Sequence, residues 1–496
     1  MTDLFDALAL LEDAALFGPG LAGPLTGLSV DSRSVKPGHL FAALPGSLMH
    51  GASFVDPALR MGALAVLTDA EGFAQLIAEG HGERVPVIVS AFPRAALARA
   101  ASRWFAVQPD VMVAVTGTNG KSSVTNFLRQ IWQISGLRAV NLGTTGVEGS
   151  VARALSHTTP EPITLHALLS DLAGDGVSHA AMEASSHGLD QHRLDGVRLA
   201  AAGFTHLSRD HLDYHATMDA YAEAKLALFT RVLPPGAPAV INMDDPTAKR
   251  AGEIAADRGC PVIRVGRHEG ADLRLIETDY TPNGQTLMVE HAGETRRFDL
   301  PLIGGFQGEN VLVAAGLAMA TGVSSKTTFA ALPQLHGVRG RMEHAATLSN
   351  GAGIFVDYSH TPDSLATALK ALRLHTKGRL IAVFGAGGDR DPGKRPLMGQ
   401  AAAAFADVAI LTDDNPRSED PALIRAAVRA GCHKASEVGD RAEAILLGVD
   451  ALQPGDMLLI AGKGHETGQI IGQEIYPFDD CAQARAAVEA LDGMTP

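Results

Sequence analysis

One segment constrains this chain more than any other. The apolar run Val111-Met112-Val113-Ala114-Val115 leads directly into Thr116-Gly117-Thr118-Asn119-Gly120-Lys121-Ser122-Ser123, and a helical pattern follows from Val124 to Ile134. A buried strand, a glycine-rich loop, Lys-Ser and a helix make a phosphate-binding loop. The loop N–H groups and the helix N-terminus cradle phosphates, the lysine adds charge, and the serine hydroxyl reaches a magnesium ion. The generic loop pattern places glycine where this chain has Val115. A strand that feeds a helix in this way belongs to layered α/β architecture with a parallel sheet, and a nucleoside triphosphate is the expected ligand.

The use made of the nucleotide is a separate question. No Asn-Lys-x-Asp guanine-reading tetrapeptide occurs. In place of the Asp-Glu that ends a strand in motor and transporter ATPases, Ala180-Ala181-Met182 ends in the single acid Glu183. A carboxylate there can bind magnesium directly or through water.

With 496 residues the chain exceeds one ordinary core, so about two to four domains are expected. Lys and Arg number 41 against 55 Asp and Glu, a formal charge of −14, which disfavours nucleic acids and anionic membranes as partners. The cysteines, Cys260, Cys432 and Cys481, are too far apart for a disulfide framework or a Cys-based zinc site, which suits a reducing cytoplasm. The acids Asp3, Asp6, Glu12 and Asp13 precede the first basic residue, Arg33, so the start reads as an amphipathic helix and not a secretory signal. No apolar run reaches the ~18 residues of a membrane span.

Three zones separate along the chain: 1–108, 109–337 and 338–496. The first carries short strands at Leu40–Leu44 and Ala63–Leu67, and the third carries strands at Leu380–Phe384, Val408–Leu411 and Met457–Ile460. Each strand of the third zone ends in a loop rich in Gly or Asp. Ligands of parallel sheets gather at the carboxyl ends of strands, so those loops are where a substrate is expected.

Further motifs fall in order behind the phosphate loop. They are Glu183-x-Ser-Ser-His-Gly-Leu, Ser208-Arg209-Asp210-His211-Leu212-Asp213-Tyr214-His215, Tyr221-x-x-x-Lys225 and Phe306-x-x-x-Asn310. Gly340-Arg341-Met342-Glu343, Asp357-Tyr358-Ser359-His360-Thr361-Pro362-Asp363, Gly387-Gly388-Asp389-Arg390-Asp391 and Gly462-Lys463-Gly464-His465-Glu466 continue the series. Together they resemble the Mur ligases, ATP-dependent amide-forming enzymes of peptidoglycan synthesis, from about residue 25 to 480.

The resemblance implies three α/β domains: one for the UDP end of a nucleotide sugar, a central P-loop ATPase-like domain, and a Rossmann-like C-terminal domain for the incoming amino acid. It implies that ATP phosphorylates a substrate carboxylate and that an amine attacks the acyl phosphate. The implied substrates are UDP-N-acetylmuramoyl-L-alanyl-D-glutamate and an amino acid, handled by a cytoplasmic monomer. ATP falls to Gly117, Thr118, Asn119, Gly120, Lys121, Ser122 and Ser123, with Asn310 toward adenine, Asp357 toward ribose and Arg341 toward the γ-phosphate. Two Mg²⁺ sites are implied, with ligands among Ser122, Glu183 and His211. Lys225 is the family position carbamylated by CO₂, which turns a cation that repels Mg²⁺ into an anion that can orient it. Lys121, Glu183, His211, Lys225 and Arg341 make the implied catalytic set. The nucleotide sugar falls to Val30, Ser32, Ser47, Leu48, Met49, Thr158, Thr159, Ser185, Gln191 and Arg193.

The amine is chosen in the third zone. In the family, Asp414-Asn415-Pro416-Arg417 goes with meso-diaminopimelate, and Arg390, Gly462 and Glu466 complete the implied set. Diaminopimelate carries a second amino-acid head whose carboxylate lysine lacks, and Arg417 can pair with it while Asp414 and Glu466 accept from its ammonium. The same residues also read as an Asx-type turn with a proline-started helix at Pro416. A relative adding lysine or a dipeptide, a folylpolyglutamate synthase, and a P-loop ATPase acting as a switch or binding module remain as alternatives.

Overall fold

A computed structural model describes residues 14–46, 48–155, 157–208 and 214–492. The expected first helix, Ser47 and His211 lie outside the described residues. The chain divides into two compact units. One comprises the chain up to Lys121 with Trp132–Ile263 and Ala320–Gly322, and the other comprises Ser122–Ile131, Arg264–Met319 and the chain from Val323 onward.

The first unit holds two sheets. Strands β1 (Ala14–Phe17), β2 (Gly27–Ser29), β3 (His39–Ala42), β4 (Ala65–Thr68) and β5 (Val87–Ser90) line up as β1-β5-β4-β3-β2, with β1 antiparallel to β5 and the others parallel. Alternation at period two sends Leu40, Leu67 and Ile88 toward the helix Pro93–Phe105, while Phe41, Val66 and Val87 face Val55, Ala58 and Leu76.

The other sheet contains β6 (Val111–Thr116), β7 (Ala139–Gly143), β8 (Gly146–Gly149), β9 (His179–Glu183), β10 (Leu199–Phe204) and β11 (Ala239–Asn242), in the order β8-β7-β9-β6-β10-β11. Only β7 and β8 pair antiparallel. The parallel strands are covered on both faces, which is why they read as continuous apolar runs. From β6 the chain crosses over β9 to reach β7, and from β9 it crosses back over β6 to reach β10. A crevice therefore opens at the carboxyl end of β6, where the phosphate loop lies.

In the second unit, the end of β12 (Val262–Gly266) pairs with β13 (Leu273–Thr281), which continues into an antiparallel meander with β14 (Gly284–His291) and β15 (Glu294–Leu300). A six-stranded sheet follows, ordered β16-β17-β21-β18-β19-β20. Its strands are β16 (Glu343–Thr347), β17 (Gly353–Asp357), β18 (Leu380–Phe384), β19 (Val408–Leu411), β20 (Ser436–Glu437) and β21 (Met457–Ala461), all parallel except β16. A hairpin of β22 (Gly468–Ile471) and β23 (Glu474–Pro477) stands apart from it.

The expected strands of the third zone are present, and β16, β17 and β20 are additions to them in the same sheet. The helix that carries Tyr221 and Lys225 runs Met218–Ala227 and opens into a wide turn at Leu228–Val232. No helix starts at Pro416. Arg417 adopts φ +52, its N–H donates to the Ile470 carbonyl and its carbonyl accepts from Gly472, and the chain turns there, with Glu419 N–H donating to the Pro416 carbonyl, before Asp420 caps the helix Pro421–Arg429. No helix among the described residues is long and apolar enough to cross a membrane.

Candidate active site

The phosphate loop is shaped by the ends of neighbouring strands. Gly117 has φ +141, and a Cβ there would lie 1.8 Å from Thr205 Oγ1 just beyond β10, so no other residue fits. Thr205 in turn donates to the Asn119 carbonyl at 2.6 Å. Thr118 donates its N–H to the His206 carbonyl at 2.7 Å, and its hydroxyl lies 3.1 Å from that of Tyr221. Gly120 has φ +85 and hands over to the helix Lys121–Ile134, which begins with Lys121, Ser122 and Ser123. The Lys121 ammonium donates to the carbonyls of Gly117 at 2.9 Å and Thr118 at 2.7 Å, across the mouth of the loop.

Lys225 is 1% exposed and donates to the same Gly117 carbonyl at 2.6 Å, with its ammonium 4.6 Å from the Tyr221 ring centre. Glu183 ends β9, is 2% exposed and accepts from the Thr144 N–H at 2.9 Å. His206 joins this cluster without having been anticipated. Burial lowers its pKa, Asp245 pulls the other way, and the Lys121 and Lys225 charges lower it further. Three or more His, Cys, Asp or Glu side chains do not gather anywhere among the described residues as a metal cage. Mg²⁺ takes one or two carboxylates and completes its shell with phosphate and water, and Glu183 offers a buried hard anionic oxygen at the end of β9. An unmodified lysine has three donors and no acceptor, so Lys225 fits a cation only as a carbamate.

A polar wall runs from β9 into the next turn. Thr159 donates to the Glu183 carbonyl at 2.9 Å and accepts from the Ser185 hydroxyl at 3.0 Å, while the Thr158 hydroxyl meets that of Thr144 at 3.1 Å. Arg193 donates to the Thr159 carbonyl at 2.7 Å and through Nη2 to Gln191 Oε1 at 2.8 Å. Gln191 donates to the Tyr214 hydroxyl at 3.1 Å. Burial lowers the Arg193 pKa, and Arg94 adds like-charge repulsion. Arg94 also donates to the Pro45 carbonyl at 2.5 Å, ahead of the exposed Leu48 and Met49. Two guanidinium groups bearing on each other make a place for an anion. Val30 follows β2 and is part exposed, and Ser32 opens a turn capped by Asp31.

The second unit holds the remaining residues, all but Asn310 in or beside the loops of its six-stranded sheet. Asp357 ends β17, accepts from the Met342 N–H at 2.8 Å and binds the Ser359 hydroxyl, and burial raises its pKa. Its carboxylate thus braces the Arg341 turn, and Arg341 lies 4.9 Å from the Tyr358 ring centre. Asn310 sits in the helix Phe306–Ala320 and donates to Gln307 at 3.2 Å. After β18, Gly388 donates to the Asn415 carbonyl at 2.9 Å, and a Cβ on Gly388 would strike the Pro416 carbonyl. Arg417 donates to the Gly388 carbonyl at 2.8 Å. Tyr358 lies among these charges. Burial raises its phenol pKa and Glu466 and Asp414 reinforce that, while Arg341 and Arg390 oppose it.

Asn415 spends its amide inside the protein, donating to Glu466 at 2.8 Å and accepting from Lys463 at 3.1 Å and Ile470 N–H at 2.9 Å. The fully buried Lys463 also reaches Glu466 at 3.2 Å. Lys463 stands in the Gly462–Glu466 motif without an expected site role, and the structure makes it the buried tie between Asn415 and Glu466.

Known proteins match this chain along nearly its whole length. Residues 24–105 match the Mur ligase family catalytic domain, 115–318 the Mur ligase middle domain, and 340–464 the Mur ligase glutamate ligase domain. A relative from Bradyrhizobium diazoefficiens, UDP-N-acetylmuramoyl-L-alanyl-D-glutamate–2,6-diaminopimelate ligase, is 51% identical over 96% of this chain and 97% of its own. The chain belongs to the Mur ligase family. A ligase of the same name from Agrobacterium fabrum is 50% identical over 94% of both chains. A solved structure of a protein of that name aligns with TM-score 0.72 at 36% identity, over 94% of this Mur ligase and 95% of that chain. Folylpolyglutamate synthase from Mycobacterium tuberculosis complexed with ADP, at 17% identity and TM-score 0.60, shares the fold alone.

Proposed function

We propose that this Mur ligase joins meso-2,6-diaminopimelate to UDP-N-acetylmuramoyl-L-alanyl-D-glutamate in the cytoplasm, converting ATP to ADP and phosphate. The reading is carried by near-full-length identity of about half to ligases of that name. The loop Asp414–Arg417, gathered with Arg390 and Glu466 around Tyr358, supports it. The domains 1–108, 109–337 and 338–496 bind nucleotide sugar, ATP and amino acid respectively, and the protein works as a monomer.

A carboxylate oxygen of the nucleotide-sugar peptide attacks the γ-phosphorus of ATP, the bond to the β-phosphate oxygen breaks, and ADP leaves. The neutral amine of diaminopimelate then attacks the acyl-phosphate carbonyl, phosphate departs with the bonding pair, and the amine proton passes to solvent or base. Lys121 and the loop N–H groups hold the triphosphate, and Arg341 reaches the transferred phosphoryl group. Magnesium, when bound, neutralises charge that would otherwise keep carboxylate and triphosphate apart. Ser122, Glu183, His211 and a carbamate on Lys225 would hold and orient it. Thr158, Thr159, Ser185, Gln191 and Arg193, with Val30, Ser32 and the 47–49 loop, bind the nucleotide sugar, and Arg193 directs its carboxylate. Asn310 and Asp357 support the adenosine.

Selection of the amine follows from charge. Each charge-assisted bond to the distal head of diaminopimelate is worth about 1.5–3 kcal/mol, and lysine leaves Arg417 without its carboxylate. Rejection of lysine then reaches roughly 10⁴-fold. Phosphate release measured over a panel of amines, with ATP and UDP-N-acetylmuramoyl-dipeptide, tests this. Turnover with lysine equal to that with diaminopimelate, or ADP release that needs no amine, would overturn it in favour of a lysine-adding ligase or a P-loop switch.

A further inference from the structure

Arg441 and Asp480 have fully buried side chains, and no step above uses them. Arg441 opens the helix Arg441–Asp450 and Asp480 opens the helix Asp480–Asp492. They meet in a two-bond fork, Nε to Oδ1 at 2.7 Å and Nη2 to Oδ2 at 2.6 Å. The guanidinium also reaches beyond its partner. Nη2 donates to the Ala461 carbonyl at 3.0 Å and Nη1 to the Asp413 carbonyl at 3.3 Å. Those carbonyls immediately precede Gly462 and Asp414, on loops after β21 and β19, which β18 separates. The two residues are packed together: a Cβ on Gly462 would lie 2.4 Å from Asp414 Oδ2 and 3.9 Å from Arg441 Nη2. One planar cation thus ties together two loops that the sheet does not pair.

We propose that Arg441, held by Asp480, is the positioning residue of the amine site: it sets the Asp414 carboxylate against Gly462 so that diaminopimelate is seated for attack. The Arg441 guanidinium is fully buried and bonded to Asp480 and the two carbonyls. It acts through the two carbonyls, and the inference rests on the diaminopimelate reading. Lysine cannot substitute, because a compact ammonium lacks the rigid fork that spans a carboxylate and two carbonyls at once.

The test uses the full-length enzyme and a built-in control. Arg379 and Asp456 form an ion pair at the other end of the same sheet, with Nε at 3.0 Å and Nη2 at 2.6 Å from one oxygen, Oδ2, and with Arg379 part exposed. The KM for meso-diaminopimelate, ATP and nucleotide sugar is measured in R441K, D480N and R379K, together with kcat at saturating amine. R441K is expected to raise the diaminopimelate KM about 10- to 100-fold, with kcat and the other two KM values nearly unchanged. D480N is expected to shift it in the same direction and R379K not at all. An unchanged diaminopimelate KM in R441K overturns the proposal, as does a rise in all three KM values that tracks lost thermal stability. If R441K is insoluble, D480N keeps the side-chain shape and is read by the same criteria. A wild-type enzyme that does not consume diaminopimelate would instead sink the parent reading.

Discussion

The two ends of the six-stranded sheet are built from the same materials and put to different uses. At the amino ends, Arg379 grips Asp456 and Arg373 grips Asp407, the latter at 2.6 Å, while Asp407 and Asp456 also accept from the N–H groups of Leu380 and Arg379. Each charge there is matched by a protein partner, and the arrangement closes the sheet. At the carboxyl ends, Arg341, Arg390, Asp414 and Glu466 bear on Tyr358, in loops where glycine permits close approach. Matched charge closes a surface, whereas converging charge of both signs on backbone loops leaves work for a zwitterion. The phosphate loop repeats the second pattern at the carboxyl end of β6.

The comparison can be broken by experiment. Lys225→Ala, at the carboxyl side of β6, is expected to lower kcat by about 10³-fold, read as amine-dependent phosphate release. Substantial activity in that variant would remove the carbamate from the account. Arg417→Ala should cost roughly 100-fold in kcat/KM for diaminopimelate while leaving the ATP KM unchanged, and equal effects on both would erase the assignment of this end to the amine. Asp456→Asn, at the closed end, should cost about 1–2 kcal/mol in denaturant unfolding and leave all kinetic constants within about twofold.

The smallest effect is on acid stability. Burial alone would raise the pKa of Asp456, but Arg379 and the neighbouring N–H groups bring it below the ordinary carboxylate value, and Leu380 N–H and Arg373 do the same for Asp407. Their contribution is complete above the unfolded value of 3.8 and is lost as pH falls through it toward the folded value. Melting temperatures recorded from neutral to acid pH should therefore fall less steeply in Asp456→Asn than in the wild type.

Much of this was legible in the residues. The strand-loop-helix signal at Val111–Ile134 located the phosphate loop, and apolar runs ending in Gly or Asp located the carboxyl ends of β18, β19 and β21. Local chemistry is what such patterns encode. The Arg441–Asp480 fork was not legible, because its members meet across 39 positions of chain. His206 and Arg94 were missed for the same reason, since their roles come from charges on other elements. The helix start expected at Pro416 failed because a hairpin more than fifty positions downstream captures the backbone of Arg417.

That hairpin has a consequence for how such an enzyme can change its substrate. The recognition loop is clamped on both faces of Arg417 by β22 and the turn at Gly472, and Asn415 is bound to Ile470 as well. The loop is therefore not an exchangeable cassette. A lineage or an engineer replacing Asp414–Arg417 to accept another amine must recast residues 468–477 in the same move. Amine choice in this sense rests on two segments far apart in the chain that are bound to each other.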